Sequence, residues 1–541
     1  MRLHPIVFAI AVVWTTHIAA MDLVRPETRA DLAVSTFNVD GSGVTVAILD
    51  RGIDWSHPDF IKANGTTRIK AMLDMSGFNL CSAGNPAPVE YSEAQINSAL
   101  SGGPTLAIRD AVGHGTATAG TAAGNGRALG DLRYRGIAPG ADLIIVKLVS
   151  EGAPAHGTQT AETAFQGCID SAIDWLKPKL DSLGHPAVIL INSGTQWGPM
   201  DGTSAVSRKL DQSFGANTPG RVVVIPSGDE GSLSNHSGID FNNAAPSVIQ
   251  INKTSTTYAV MSGWYSGARP SEVTVSFADG ASLGPIGPNT NTTLNGITII
   301  NYNPGTEFYP WTSNGGDRAL YIGVSGHATT GMVSIRAQTA GSGHFDLYGD
   351  VIGPNLTPVT AMTDHLVAGR LTDYATTASV IVAGDYVVRT QWTDIDGMAR
   401  QITTEGAVGA LWLKSSAGPT RNGRTYGIDI AAPGQNLFAS VGANTYWSTF
   451  RFNLPSGSLG LYTRFGGTSG SSPIVLGAVA LMLQAKPSLT AAEVRRILHS
   501  SARSDAFTSV VPNVDWGYGK LDVYEAVRQA RDVVFFNGFE L

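Results

Sequence analysis

Four short runs of aliphatic and β-branched residues constrain this chain more than any other feature: 44–49 (VTVAIL), 143–148, 187–191 and 221–225 (RVVVI). They lack the apolar–polar alternation of a strand with one wet face, which is the pattern of strands buried on both sides. Between them Phe165, Ile169, Ile173 and Leu176 recur at helical spacing on one face. Buried strands alternating with amphipathic helices predict an α/β fold, a parallel sheet with helices on both faces.

The texture changes at about 239 and stays changed to 359. Short alternating runs such as 272–277 (EVTVSF) and 332–336 (MVSIR) are separated by the turn sequences GPIGPN, LNG, NPG, SNGG and GSG. That pattern predicts an all-β, jelly-roll-like or sandwich domain inserted into the α/β domain. An inserted domain is expected to have adjacent ends, leaving near 235–245 and returning between 358 and 376. The buried-strand signal resumes at 379–386 (SVIVAGDY), Thr490 and Glu493 form a capping box, and a last helix is expected near 521–531. The expected organisation is a signal peptide at 1–20, an α/β domain in two parts at 21–238 and 360–532, the all-β insert at 239–359, and a tail at 533–541.

Residues 6–14 are an unbroken apolar run after Arg2 and His4, and Ala19 and Ala20 are small cleavage-type residues. Nine apolar residues are too few for a bilayer span but suit a secretory signal, so a secreted or periplasmic protein is expected, with no membrane span in the mature chain. A start at Met21 would instead leave a cytosolic protein. The formal charge of −7 comes without basic blocks, which argues against a nucleic-acid partner. The two cysteines, Cys81 and Cys168, are too few for a disulfide framework or a four-cysteine zinc site; their spacing neither demands nor excludes one bridge.

Three segments place a reactive side chain where a turn would expose it. Asp50 ends the first buried strand in VAILDRGIDWSHPDF, and ligand sites in open α/β sheets lie at such ends. His114 stands between glycines in GHGTATAG, before a small-residue helix. Ser469, in FGGTSGSSP, opens the apolar helix from Ile474, whose free N–H groups favour a developing oxyanion. Together they supply orienting carboxylate, base and nucleophile in the chain order Asp, His, Ser.

These segments, with GIAPGAD (136–142), SAGPT…DIAAPG (416–434) and WGYGKLDVYEAV (516–527), are similar to those of the subtilisin-like serine peptidases, or subtilases. The resemblance covers about two-thirds of the chain. It implies a seven-stranded-type parallel sheet, a polypeptide substrate and an endopeptidase with a triad of Asp50, His114 and Ser469. Ser193, Gly194 and Thr195, with Ser227 and Gly228, align with the family's cleft walls.

Three departures from the family pattern stand out. Asp229 in SGDEG occupies the position where relatives carry an asparagine that donates to the oxyanion, so Asp229 is the expected oxyanion residue. Little chain separates Ala20 from Asp50, which leaves no room there for a folded propeptide. Ser469 lies far beyond Asp229, and the β-rich block fills the excess. Clostridial germination proteases of the family carry a jelly roll at this point. No cofactor is needed for the chemistry, but subtilases often bind structural calcium; Asp373, Asp394 and Asp396 are loop carboxylates available to such an ion. Sequons occur at Asn64, Asn235, Asn252, Asn291 and Asn355. The rival reading is a catalytically silent subtilase-fold protein that uses its cleft or its β insert for binding.

Overall fold

A computed structural model describes residues 21–532 apart from 78–80, 82–83, 85, 242–245, 257, 266–271, 303–312, 314–315, 326, 328, 339–341, 350, 353–356, 359, 422 and 425. The expected signal segment, the 533–541 tail, the NPG turn and the Asn355 sequon lie outside the described residues.

The four apolar runs, and the one that resumes at 379–386, become strands of one sheet. Its strands are β1 (Thr45–Asp50), β2 (Ile69–Asp74), β3 (Val89–Ser92), β4 (Asp142–Lys147), β5 (Ala187–Ile191), β6 (Arg221–Pro226), β7 (Ile381–Val387) and β8 (Ile430–Gln435). The order is β8-β7-β6-β5-β1-β4-β2-β3. Seven strands are parallel. The eighth, β3, runs antiparallel on the edge beside β2. Its sequence, VEYS, is exposed or half-buried and carries no apolar run that could announce it.

Of the nine α-helices among the described residues, the six of ten residues or more are α1 (His114–Ala123), α2 (Ile169–Leu183), α3 (Ala205–Phe214), α4 (Thr468–Ala485), α5 (Ala491–Ser501) and α6 (Val523–Asp532). The apolar faces of α1, α4, α5 and α6 share one core cluster, and those of α2 and α3 share the other. Among the described residues α4 is the one helix long and apolar enough to cross a membrane, and 83% of it is buried inside the protein. The capping box of Thr490 and Glu493 starts α5. One expectation fails here: Phe165 is not on α2. Phe165–Gln166 pairs with Val149–Ser150, and Cys168 stays extended before Ile169 opens the helix. Cys168 is joined to Cys81 in a disulfide with a Cα–Cα distance of 4.7 Å, within the ordinary range.

Between His236 and Met362 eleven strands form two antiparallel sheets, of five and six strands. Burial alternates along them, as in Ser247–Lys253. The inward residues of both sheets, Ile249, Val275 and Ile335 from one and Met261, Ile299 and Ile322 from the other, share a single apolar core. The fold is therefore a subtilisin-like α/β sheet with an added all-β unit. Where the chain enters and leaves this unit the two ends are hydrogen-bonded side by side, Gly238 N to His365 O (2.9 Å) and Val367 N to His236 O (3.3 Å). β6 and β7 remain neighbours in the main sheet, with Val224 opposite Ile381.

The six-stranded sheet is tied to the α/β part by Trp264 Nε1, which donates to Trp197 O (3.1 Å), and Ser262 Oγ, which donates to Gln196 O (2.8 Å). Beside them is a buried ionic cluster around Asp346. Its Oδ1 accepts from His236 Nε2 (3.0 Å) and His344 Nε2 (3.2 Å), and its Oδ2 accepts from Arg421. Arg421 also donates to Asp317 (2.8 Å), and His344 Nδ1 meets Asp240 at 2.7 Å. The hydrogen bond to Asp346, aided by Asp240, raises His344 to about 9. A group whose folded pKa is raised adds stability that is complete below its unfolded value near 6.5 and is lost as pH climbs through the folded one. The thermal midpoint is therefore expected to fall between about pH 6.5 and 9, and His344→Gln should flatten that part of the curve. The effect is modest, since the His344 side chain is 42% exposed. Scanning calorimetry across that window decides it: parallel curves for wild type and variant would refute the coupling.

Candidate active site

The sheet delivers its polar residues at the carboxyl ends of its central strands. Asp50 is the last residue of β1, Asn192 and Ser193 follow β5, and Ser227 to Asp229 follow β6. The N-termini of α1 and α4 meet these ends and bring His114 and Ser469. Asp110 starts α1 by accepting the amides of Gly113 and Thr116, each at 2.8 Å.

Asp50 is fully buried, and its carboxylate spans His114 Nδ1, at 2.8 Å from Oδ1 and 3.0 Å from Oδ2. Oδ1 also accepts the Arg51 amide (2.6 Å), and Oδ2 accepts Thr118 Oγ1 (2.7 Å). Burial opposes ionisation, yet the charge and hydrogen bond of His114, with Arg51 and Thr118, outweigh it and hold Asp50 below the usual carboxylate range. His114 is lowered in turn, first by burial and then by the Arg51 guanidinium, against the pull of Asp50. Its ring is packed by Phe465 edge-on (5.2 Å between centroids) and by Trp447 (5.7 Å). The result is a neutral imidazole with Nδ1–H tied to a carboxylate and Nε2 left as a base.

Ser469 is half-buried in the first turn of α4, and its Oγ has no hydrogen-bond partner among the described residues. The residue before Thr468 is Gly467, with φ +75°; a Cβ there would stand 2.7 Å from Asp229 Oδ2, so only glycine lets the carboxyl reach the turn. Asp229 Oδ1 accepts from Thr468 N (2.9 Å) and Thr468 Oγ1 (2.7 Å). Burial raises the Asp229 pKa against these donors. Behind it on β7 lies Asp385, fully buried, its Oδ1 accepting Gly434 N (2.8 Å). Burial, and next the charge of Asp229, push Asp385 well above the usual range.

Ser193, Gly194, Thr195, Ser227 and Gly228 line the same end of the sheet. Thr372 packs into the gap between Gly194 and Gly228, where added Cβ atoms would meet its side chain. Thr372 N donates to Ser227 O (3.0 Å), and Ser416 N donates to Gly228 O (2.9 Å). Thr118, Asn192, Thr372 and Asp385 were not singled out from the sequence. Asn192 alone carried a usable signal, as a polar residue directly after a buried strand.

Two of the three loop carboxylates available to calcium are already held by donors. Asp394 accepts from the amides of Asp396 (3.0 Å) and Met398 (2.9 Å) and from Arg400 Nε (2.6 Å). Asp396 is paired with Arg451, and Asp373 accepts the Met200 amide (3.2 Å). Donors thus occupy Asp394 and Asp396, whereas Asp373 Oδ2 is buried without a partner; among the described residues no three His, Cys, Asp or Glu side chains are grouped to hold a metal.

Comparison with known proteins places the chain. The subtilase family model matches residues 41–520, and the chain belongs to that family. It is similar to the minor extracellular protease Vpr of Bacillus subtilis (24% identical, covering 90% of this chain and 52% of that one). It is also similar to the serine protease AprX of the same organism (29% identical, covering 29% and 37%) and to fervidolysin of Fervidobacterium pennivorans (26% identical, covering 55% and 35%). The chain thus spans about half or less of the length of these curated relatives. In fold it is similar to the Clostridium perfringens CspB protease, with a TM-score of 0.69 at 21% identity over 94% of this chain and 97% of that one.

Proposed function

We propose that the chain is a secreted serine endopeptidase that cleaves polypeptides through an acyl-enzyme on Ser469. The observation that carries this reading is the buried Asp50–His114 pair, 2.8 Å apart, linked through Thr118 and Asn192 to the helix N-terminus that holds Ser469. His114 Nε2 takes the Ser469 proton as Oγ attacks the peptide carbonyl. Asp50 keeps Nδ1 protonated and stabilises the imidazolium without accepting the proton. The imidazolium then protonates the leaving amine, and a water deprotonated by the same ring releases the acyl group. The amides at the start of α4 and a protonated Asp229 face the oxyanion. Ser193, Gly194 and Gly228 line the cleft for the substrate backbone.

Secretion rests on the apolar N-terminal run and on the extracellular relative, Vpr. The all-β unit is proposed as a domain inserted at 239–359 with a chiefly structural role, since its charged face is spent on the α/β part. Treatment with a fluorophosphonate probe tests the whole reading. Labelling confined to Ser469, with hydrolysis of a denatured protein substrate, is expected; absence of labelling at every pH would leave the silent binding protein.

A further inference from the structure

The first turn of α4 contains a defect that the helix cannot repair itself. The carbonyl of residue i in a helix accepts from the amide of residue i+4. For Ser469 that position is Pro473, which has no N–H. A buried carbonyl left without a donor is costly, and this one belongs to the nucleophile. Asn192 Nδ2 supplies the missing donor at 3.1 Å.

The same amide nitrogen donates to Thr118 Oγ1 at 2.8 Å, and Thr118 Oγ1 in turn donates a hydrogen bond to Asp50 Oδ2 at 2.7 Å. Asn192 Oδ1 accepts from Ser472 Oγ at 3.0 Å, and Asn192 O accepts from Arg51 Nη1 at 2.8 Å. Asn192 N donates to Leu49 O at 3.1 Å. Carbonyl oxygens only accept, so the contact with Ser469 O fixes which end of the amide is nitrogen. Asn192 is fully buried and every polar group it has is used.

We propose that Asn192 is a positioning residue for catalysis: it makes the bond that Pro473 denies to the Ser469 carbonyl, and so ties the nucleophile's turn to the Thr118–Asp50 side of the site. The strand end of β5 thereby sets the separation between serine and histidine, to which reaction rates are steeply sensitive. The inference rests on the peptidase reading above.

Its test is rescue. Asn192→Ala is expected to lower kcat for a peptide substrate by 10- to 100-fold with KM within about twofold, because cleft walls stay in place. Asn192→Asp keeps the shape but, when ionised, offers acceptors only. It should lose at least as much above pH 7 while remaining folded by circular dichroism. Adding Pro473→Ala to Asn192→Ala returns an N–H to the Ser469 carbonyl. The double variant should recover several-fold in kcat over Asn192→Ala, compared with Pro473→Ala alone as reference. A kcat for folded Asn192→Asp equal to wild type, or no recovery in the double variant, would overturn the assignment. A wild-type enzyme that neither turns over substrate nor takes up fluorophosphonate would instead sink the peptidase reading.

Discussion

Ser469→Ala is expected to reduce peptide turnover by on the order of 10⁶, leaving only the catalysis that binding and the oxyanion site provide. The loss should be confined to chemistry. Ser469 Oγ has no hydrogen-bond partner among the described residues and the side chain is half-buried, so its removal breaks no internal bond, and alanine suits a helix. The free energy of unfolding should therefore change by no more than about 0.5 kcal/mol in either direction, as for a benign substitution. Measured together, turnover and calorimetry separate a lost nucleophile from a lost fold; a variant that keeps its activity removes Ser469 from the mechanism.

Asp229 should make the pH profile unlike that of an asparagine-bearing relative. An ionised carboxylate accepts hydrogen bonds only, and beside a developing oxyanion it repels; protonated, it donates through one oxygen. The geometry suits the acid form. Oδ1 already accepts twice from Thr468, which leaves Oδ2 to carry the proton. Burial raises Asp229, and Asp385 behind it is raised further by burial and by Asp229, so one ionisation opposes the other. His114 is lowered and stays neutral to more acidic pH. Activity should thus require pH above the His114 pKa and below that of Asp229. Asp229→Asn keeps a donor that does not titrate and should extend activity on the alkaline side. Asp229→Ala removes it and should cost on the order of 10²–10³ in kcat at the optimum. Superimposed alkaline limbs for wild type and Asp229→Asn would mean that Asp229 does not serve the oxyanion.

What could be read from the sequence follows from how local each signal is. β1, β4, β5 and β6 were legible because a strand buried on both faces must be a continuous apolar run. Asp50, His114 and Ser469 stand out in the sequence because each adjoins a glycine or a turn at the end of such an element, and the structure hydrogen-bonds the first two. β3 was not legible, because an edge strand with exposed side chains has no such run. Phe165 misled because helical spacing does not register an extended break at Cys168. The Cys81–Cys168 bond and the contacts of Thr118 and Asp385 with their partners depend on chain separations that no local pattern encodes. Asp394 reads from the sequence only as a loop carboxylate, because its donors are not encoded locally; in the structure they are its own loop amides and Arg400.

The placement of β7 after the all-β unit has a consequence for biosynthesis. When β6 emerges from a ribosome its β5 side is satisfied, but the partner on its other side is still about 150 residues away, roughly 10–30 s at common elongation rates. During that interval the nascent sheet ends in a bare apolar strand, the feature that most invites aggregation. The all-β segment is delivered in the interval and can pair its strands among themselves. Once its ends are zipped at Gly238 and His365, the following residues start beside the waiting edge, which shortens the effective loop that must close. α4 is added later still, so the turn that carries Ser469 reaches Asn192 only after all strands of the sheet have been made. Under the proposed mechanism a half-made chain therefore holds a histidine and an aspartate but no nucleophile.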